Sequence, residues 1–312
     1  MRTQGWSRRE VLVAVPGLIV GAAALAHAQT GGTVPWSAGT EAPQLRVPPN
    51  ATDCHHHIYD ARFPMAPEAT LKPADATVAG YRLLQKRLGI TRHVIVQPST
   101  YGVDDSLLVY ALGLFGPEAR GVAVVNTSVS DRELQGLHAA GVRGIRFNLA
   151  PAGSTTFQMV TPLAKQVAPL GWHIQVNAPA DQIVAFKDLW SNLPCPVVFD
   201  HLAHVPQPQG VQAAVFTVVT DLLQQGKAYV KLSGAYQDTK IGAPTYADTI
   251  PVVQGYVKAA PDRLVWGSDW PHPTEKEKPD DAILLDLLGA WVPDEATRNR
   301  ILVDNPAKLY GF

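Results

Sequence analysis

Asp53-Cys54-His55-His56-His57 ends the first strand-like stretch of the chain. It follows Pro48-Pro49-Asn50 and runs through Ile58-Tyr59 into a long polar loop. Side chains alternate along a strand, which places His55 and His57 on one face and Cys54 and His56 on the other. Two imidazoles on one face, roughly 6–7 Å apart at Cα, form a clamp for a metal ion, a water or a carbonyl oxygen. A solvated histidine run is the competing reading. The run is internal and opens a strand–helix series, which argues for function.

From this stretch outward, short apolar segments alternate with helical ones. Strands are expected at 51–57, 92–97, 121–126, 144–149, 172–177, 196–201, 228–232 and 263–267. Helices are expected at 78–88, 105–115, 131–140, 157–170, 181–193, 211–225, 246–260 and 281–288, with a last one at 293–303. Asp105 is an N-cap residue type, and Ser130 with Glu133 has capping-box spacing. Strict alternation implies a parallel sheet, and eight units fit a single closed (β/α)8 TIM barrel. An open doubly wound sheet would carry a Gly-rich phosphate turn after its first strand. Here that position holds histidines.

The chain has 312 residues, 46% hydrophobic and 17% charged, with a formal net charge of -1. This is an ordinary globular composition, and its near-neutral charge argues against nucleic acid as a partner. Residues 1–28 differ. Ser7-Arg8-Arg9-Glu10-Val11-Leu12 resembles a twin-arginine export signal, an apolar run follows from Val11 to Leu25, and Ala26-His27-Ala28 offers a cleavage site. The run is short and interrupted for a membrane span, so a cleaved signal and a periplasmic or otherwise exported protein are expected, with no stable membrane insertion afterwards. Residues 29–50 read as an extended arm, and 51–312 as the barrel. Cys54 on the first strand and Cys195 just before the sixth are far apart in barrel order and are expected as two buried free thiols.

In a TIM barrel, chemistry gathers at the C-terminal strand ends. Those ends supply His55 and His57; Gln97, Ser99 and Tyr101; Arg146 and Asn148; Gln175 and Asn177; Asp200 and His201; Lys231, Ser233 and Tyr236; Ser268, Asp269 and His272. The opposite ends supply far fewer such groups. Bland roles compete singly: His201 as a core histidine, Arg146 pairing Asp53 or Asp200, Lys231 pairing a carboxylate, Asp269 capping a turn. Their coincidence at one rim carries the functional case.

Asp53–His57, Gly141-Val142-Arg143-Gly144-Ile145-Arg146-Phe147-Asn148, Phe199-Asp200-His201, Trp266-Gly267-Ser268-Asp269-Trp270-Pro271-His272 and the ending Asn305-Pro306-Ala307-Lys308-Leu309-Tyr310 carry a family resemblance. Together they resemble the amidohydrolase-related branch of TIM-barrel hydrolases, which includes pyrone-dicarboxylate lactonases, sulfomuconolactone hydrolases and galactarolactone isomerases. The resemblance implies that Asp269 is the general base. It also implies that His55, His57 and His201 polarise the carbonyl of a lactone. Substrate contacts are then expected from Arg146, Asn148, Ser99, Tyr101, Gln175, Asn177, Lys231, Tyr236 and His272, with Arg146 holding an anion.

Metal-using members carry a further histidine at the end of strand 5, where this chain has Gln175, with His173 near the strand start. No cofactor is therefore expected to be obligatory; zinc held by His55, His57, His201 and Asp269 remains an option. Pyrone-dicarboxylate lactonases use several rim arginines. Arg146, with Arg143 as a second candidate, suits a smaller lactone with one carboxylate or sulfonate. A lactone isomerase, a metal-dependent decarboxylase of the same family and an inactive periplasmic ligand-binding barrel are the alternatives.

Overall fold

The computed structural model describes residues 29–149 and 154–312; the export signal read at 1–28 lies outside them. Eight parallel strands are hydrogen-bonded in chain order: β1 Thr52–His56, β2 Arg92–Val96, β3 Ala119–Ala123, β4 Val142–Asn148, β5 His173–Asn177, β6 Val197–Phe199, β7 Ala228–Leu232 and β8 Leu264–Trp266. The seam between β8 and β1 is drawn together just above β8. Asp269 N–H donates to His55 O and His57 N–H to Trp270 O, both at 2.8 Å. Gly267 permits this approach, because a Cβ there would lie 2.6 Å from His55 Cβ. The result is a nearly closed barrel.

The helices that cover it are α1 Val78–Leu88, α2 Ser106–Phe115, α3 Asp131–Ala140, α4 Phe157–Val167, α5 Ala180–Ala185, α6 Lys187–Ser191, α7 Ala214–Gln224, α8 Ala235–Asp238, α9 Ile250–Ala259, α10 Asp281–Trp291, α11 Glu295–Asn299 and α12 Asn305–Tyr310. Their apolar faces and the outer faces of the strands form the main core. Ser130 and Glu133 make both capping-box bonds. Asp105 takes the N-cap position of α2, but its carboxylate accepts from Val124 N–H at 3.1 Å and so ties the helix start to the end of β3.

Several boundaries move. The third strand begins two residues earlier than the pattern suggests, and the segment 181–193 breaks into α5 and α6 at Phe186. Strict alternation in β1 is also corrected. Its register against β2 slips between Asp53 and His56. Cys54 therefore packs with Val94, Val96, Val198 and Val265 in the barrel interior, although His55 and His57 face inward as well. From Cys54 to His57 only His56 points out, stacked on Tyr81 of α1 at 3.5 Å between ring centres. Both cysteines are free thiols, Cys54 buried and Cys195 only half-buried.

Residues 29–50 are less a free arm than a strap. Buried Arg87 of α1 reaches Ala38 O and Gly39 O, the Ser37 hydroxyl and the Asp280 carboxylate. Asp286 of α10 accepts from Gln44 and Leu45 N–H. The strap thus binds the first and last units together beside the seam. No helix among the described residues is long and apolar enough to cross a membrane.

Candidate active site

The loops after the strands position the reactive groups. After β6 the chain makes a left-handed turn of four non-glycine residues, His201 to His204, with φ of 48°, 54°, 57° and 49°. Each such residue is strained, and strain of this kind persists where surrounding structure enforces it. Tyr256 donates to Leu202 O at 3.2 Å. Gly234, at φ 62°, leaves room for the His201 ring, since a Cβ there would come within 2.7 Å of its Nδ1. After β8, Asp269 is likewise left-handed, at φ 65°.

These bends gather His55, His57, His201 and Asp269. Asp269 Oδ1 lies 3.5 Å from His55 Nε2, 3.6 Å from His57 Nε2 and 3.9 Å from His201 Nε2. His55 Nε2 and His57 Nε2 are 3.3 Å apart. The other carboxylate oxygen, Oδ2, is held by Tyr236 Oη at 2.6 Å and Gln237 Nε2 at 3.2 Å. One oxygen of Asp269 is thereby fixed and the other faces the histidines.

Each imidazole is steered by its second nitrogen. His57 Nδ1 donates to Val96 O at 2.8 Å. A carbonyl only accepts, so in the neutral ring Nε2 carries a lone pair. His201 Nδ1 meets the Ser233 hydroxyl at 3.0 Å; a hydroxyl donates or accepts, which leaves either nitrogen free to carry the proton. His55 Nδ1 lies 3.3 Å from both Asp200 Oδ1 and Lys231 Nζ. Two proton arrangements satisfy this cluster. In one, His55 donates to Asp200 and lone pairs converge on a point, as a divalent cation requires. In the other, Lys231 donates to His55 Nδ1, and His55 Nε2–H bonds His57.

Ligand atoms about 2.1 Å from a tetrahedral ion stand roughly 3.4 Å apart. The observed spacings and the Nδ1 partners fit such an ion, with second bonds that orient each ring. Among the described residues two groups bring three ligand atoms within 4.8 Å of one another: His55, His57 and Asp269, and His55, Asp200 and His201.

Burial disfavours the charge on Asp269, yet His201, His57 and His55 hold its carboxyl well below the usual range. Burial lowers His201 to about 4 and puts His55 well below its ordinary value. At neutral pH the Asp269 carboxylate thus faces uncharged His55 and His201 rings. Burial likewise opposes the charge on Asp200, but His55, Lys231 and Arg146 keep it ionised. Burial pushes the Lys231 ammonium down to about 8.

Above the cluster lies a cavity of about 110 Å³, lined among the described residues by His57, Tyr59, Leu71, Pro98, Ser99, Arg146, Asn148, Asn177, His201, Gln237, Asp269, Pro273 and Thr274. Arg146 donates through Nε to Asp200 Oδ2 at 3.2 Å, its only hydrogen bond among the described residues, which leaves the terminal nitrogens for a ligand. The anticipated bland pairing and a place at the cavity are thus both present.

Other expected contacts lie beneath or beside this space. Lys231 is fully buried and bonds Gln175 Oε1 at 2.7 Å, and Gln175 in turn donates to Asp200. Tyr101 exchanges hydrogen bonds with the backbone of Asp60. His272 bridges Tyr236 and Asp281. Arg143 is no rim arginine: it caps His138 O and Val142 O at the opposite end of β4. His173 is buried low in the barrel at the start of β5, and its ring stands edge-on to Tyr310. Gln237 and His204 were not anticipated. They ride on α8, too short to show periodicity, and on a left-handed turn without glycine.

The chain matches the family model described as amidohydrolase over residues 52–312. It is 34% identical to a 2-pyrone-4,6-dicarboxylate hydrolase of Comamonas testosteroni, over 90% of this chain and 97% of that one. It is also 34% identical to a 4-sulfomuconolactone hydrolase of Rhizobium radiobacter, over 85% and 91%. Its fold is similar to the crystal structure of a probable 2-pyrone-4,6-dicarboxylic acid hydrolase from Acinetobacter baumannii with citric acid bound. The TM-score is 0.73 at 26% identity, covering 84% of this chain and 100% of that one.

Proposed function

This chain belongs to the amidohydrolase family, and from that premise we propose that it hydrolyses a small lactone bearing a carboxylate or sulfonate. The observation that carries the reading is the division of labour within Asp269. Tyr236 and Gln237 hold Oδ2, while Oδ1 faces the cavity floor beside three imidazole nitrogens. A carboxylate so held is aimed to take a proton from a water that attacks the ring carbonyl. Both relatives described above act, by their names, on cyclic esters with anionic substituents.

In the reaction, the water oxygen bonds to the carbonyl carbon as Asp269 Oδ1 takes a water proton. His201, with Ser233 donating to Nδ1, presents Nε2–H to the developing oxyanion. The tetrahedral intermediate collapses, the ring C–O bond breaks, and the proton on Asp269 passes to the leaving oxygen. The new carboxyl group ionises, so each turnover releases one proton. Arg146 holds the anionic substituent through its terminal nitrogens. Lys231, Gln175 and Asp200 act below as the support of His55 and Arg146. If instead His201 Nδ1 donates to Ser233, its Nε2 lone pair with His55, His57 and Asp269 would hold a divalent ion, which would polarise the carbonyl and acidify the water in place of the Nε2–H.

The test is metal analysis of the purified protein, followed by a panel of carboxylated and sulfonated lactones with a pH-indicator readout. Acid release supports hydrolysis. Turnover without acid means isomerisation, and no turnover of any anionic lactone defeats the reading. The leader Ser7-Arg8-Arg9 supports the further proposal that the enzyme is exported and works in the periplasm.

A further inference from the structure

A second line of side chains runs along the cavity wall, away from Asp269. Asp238 Oδ2 lies 3.1 Å from His204 Nδ1, His204 Nε2 lies 2.7 Å from Asn177 Oδ1, and Asn177 Nδ2 donates to Asn148 Oδ1 at 3.1 Å. Asn148 and Asn177 line the cavity with Arg146. The order of donors and acceptors along this line runs inward from His204. Its Nε2 faces Asn177 Oδ1, which only accepts, so Nε2 is the donor. Asn177 Oδ1 is thereby turned toward His204 and its NH2 toward Asn148. The oxygen of Asn148 is then engaged, and its NH2, unbonded among the described residues, is the inner end of the line, next to Arg146. Reversing the two amides would instead present an oxygen to any anion bound there. The strained left-handed turn that delivers His201 also delivers His204, three residues on.

We propose that Asn148 is the second donor for the substrate's anionic group, and that His204 with Asp238 is the positioning pair that fixes its amide. The inference deepens the reading of the site as one for an anionic lactone and rests on it. The recognised chemistry is a carboxylate or sulfonate gripped by the Arg146 guanidinium on one side and the Asn148 amide on the other. The relay acts on binding and not on the proton transfer at Asp269.

The experiment measures the dissociation constant of citrate by titration calorimetry for wild type, His204→Leu, His204→Gln and Asp238→Asn. Leu removes the donor to Asn177. Gln retains an NH2 that reaches the same oxygen. Asp238 is at the outer, partly exposed end of the line, which makes Asp238→Asn the mildest change to the fold. His204→Leu is expected to weaken citrate about tenfold, the worth of one hydrogen bond to a charged group. His204→Gln should recover most of that, and Asp238→Asn should fall between. With lactone substrates, His204→Leu should raise KM for a carboxylated ring and leave KM for the uncharged ring, and kcat for both, within a few-fold. Equal citrate affinity in wild type and His204→Leu overturns the proposal, as does a lack of citrate binding by wild type. An equal rise of KM for charged and uncharged rings also overturns it. Citrate discrimination by these variants without turnover of any lactone leaves the relay standing and defeats the hydrolase reading instead.

Discussion

Tyr236 Oη donates to Asp269 Oδ2 at 2.6 Å and fixes which oxygen of that carboxylate looks into the cavity. Burial and the nearby Asp269 charge hold the phenol's pKa well above its ordinary value, so the O–H stays a donor throughout any working range. Tyr236→Phe leaves Gln237 as the remaining partner of Oδ2. Steady-state kinetics should show kcat reduced about tenfold, with KM for a carboxylated lactone changed little. A large rise in KM at unchanged kcat would assign Tyr236 to substrate binding instead.

Arg146 has two roles to separate. Its Nε holds Asp200, and its terminal nitrogens are left for the substrate anion. Arg146→Lys keeps a charge but loses the planar fork. KM for an anionic lactone should rise about tenfold or more, with a far smaller change for an uncharged ring. Comparable loss for both rings, with a lowered urea midpoint, would show that the Asp200 pair is its whole contribution.

Acid should destabilise the fold through its buried histidines. Burial holds His93 and His173 at about 3, below the ordinary 6.5. The unfolded chain therefore takes up protons first as pH falls, and stability is lost between about 6.5 and 3. Asp53 works in the opposite sense. Burial raises it to about 6 from 3.8, so between those values the folded state binds its proton first and regains part of the loss. At pH 5 each histidine costs about 2 kcal/mol by this linkage. Urea unfolding of His93→Gln at about pH 7 and about pH 5 should show a shallower loss than wild type. An identical pH dependence would mean that His93 titrates normally in the fold.

Export is tested at Arg8 and Arg9. Replacing both with Lys should leave uncleaved precursor in the cytoplasm, as fractionation and mass of the isolated protein would show. Normal processing of the double variant would contradict a twin-arginine leader.

Much of this architecture could be read from the chain because parallel barrel strands are short, apolar and separated by amphipathic helices. The histidines of β1 stood out because no doubly wound phosphate turn follows that strand. Three features were hidden for physical reasons. The slip between Asp53 and His56 depends on how β1 meets β2, so alternation misassigned Cys54. The left-handed run from His201 to His204 is enforced by packing against intrinsic preference, and neither Leu202 nor Ala203 announces it. The strap of residues 29–50 is set by Arg87 and Asp286, partners remote in sequence. Arg143 and Arg146 look alike in the sequence, yet Arg143 lies at the start of β4 and Arg146, three residues on and so on the other face, lines the cavity.

The central claim is that Asp269 performs the proton transfer while other groups bind the substrate. The direct measurement is kcat of Asp269→Asn on a lactone that wild type opens, alongside its dissociation constant for citrate. Asn keeps the size and the partners of Oδ2 and removes the base. The account predicts kcat lowered by roughly 10² to 10⁴-fold, citrate affinity within a few-fold, and a lower metal content if an ion occupies the histidine cluster. Near wild-type turnover by Asp269→Asn would contradict it and move the base to His201.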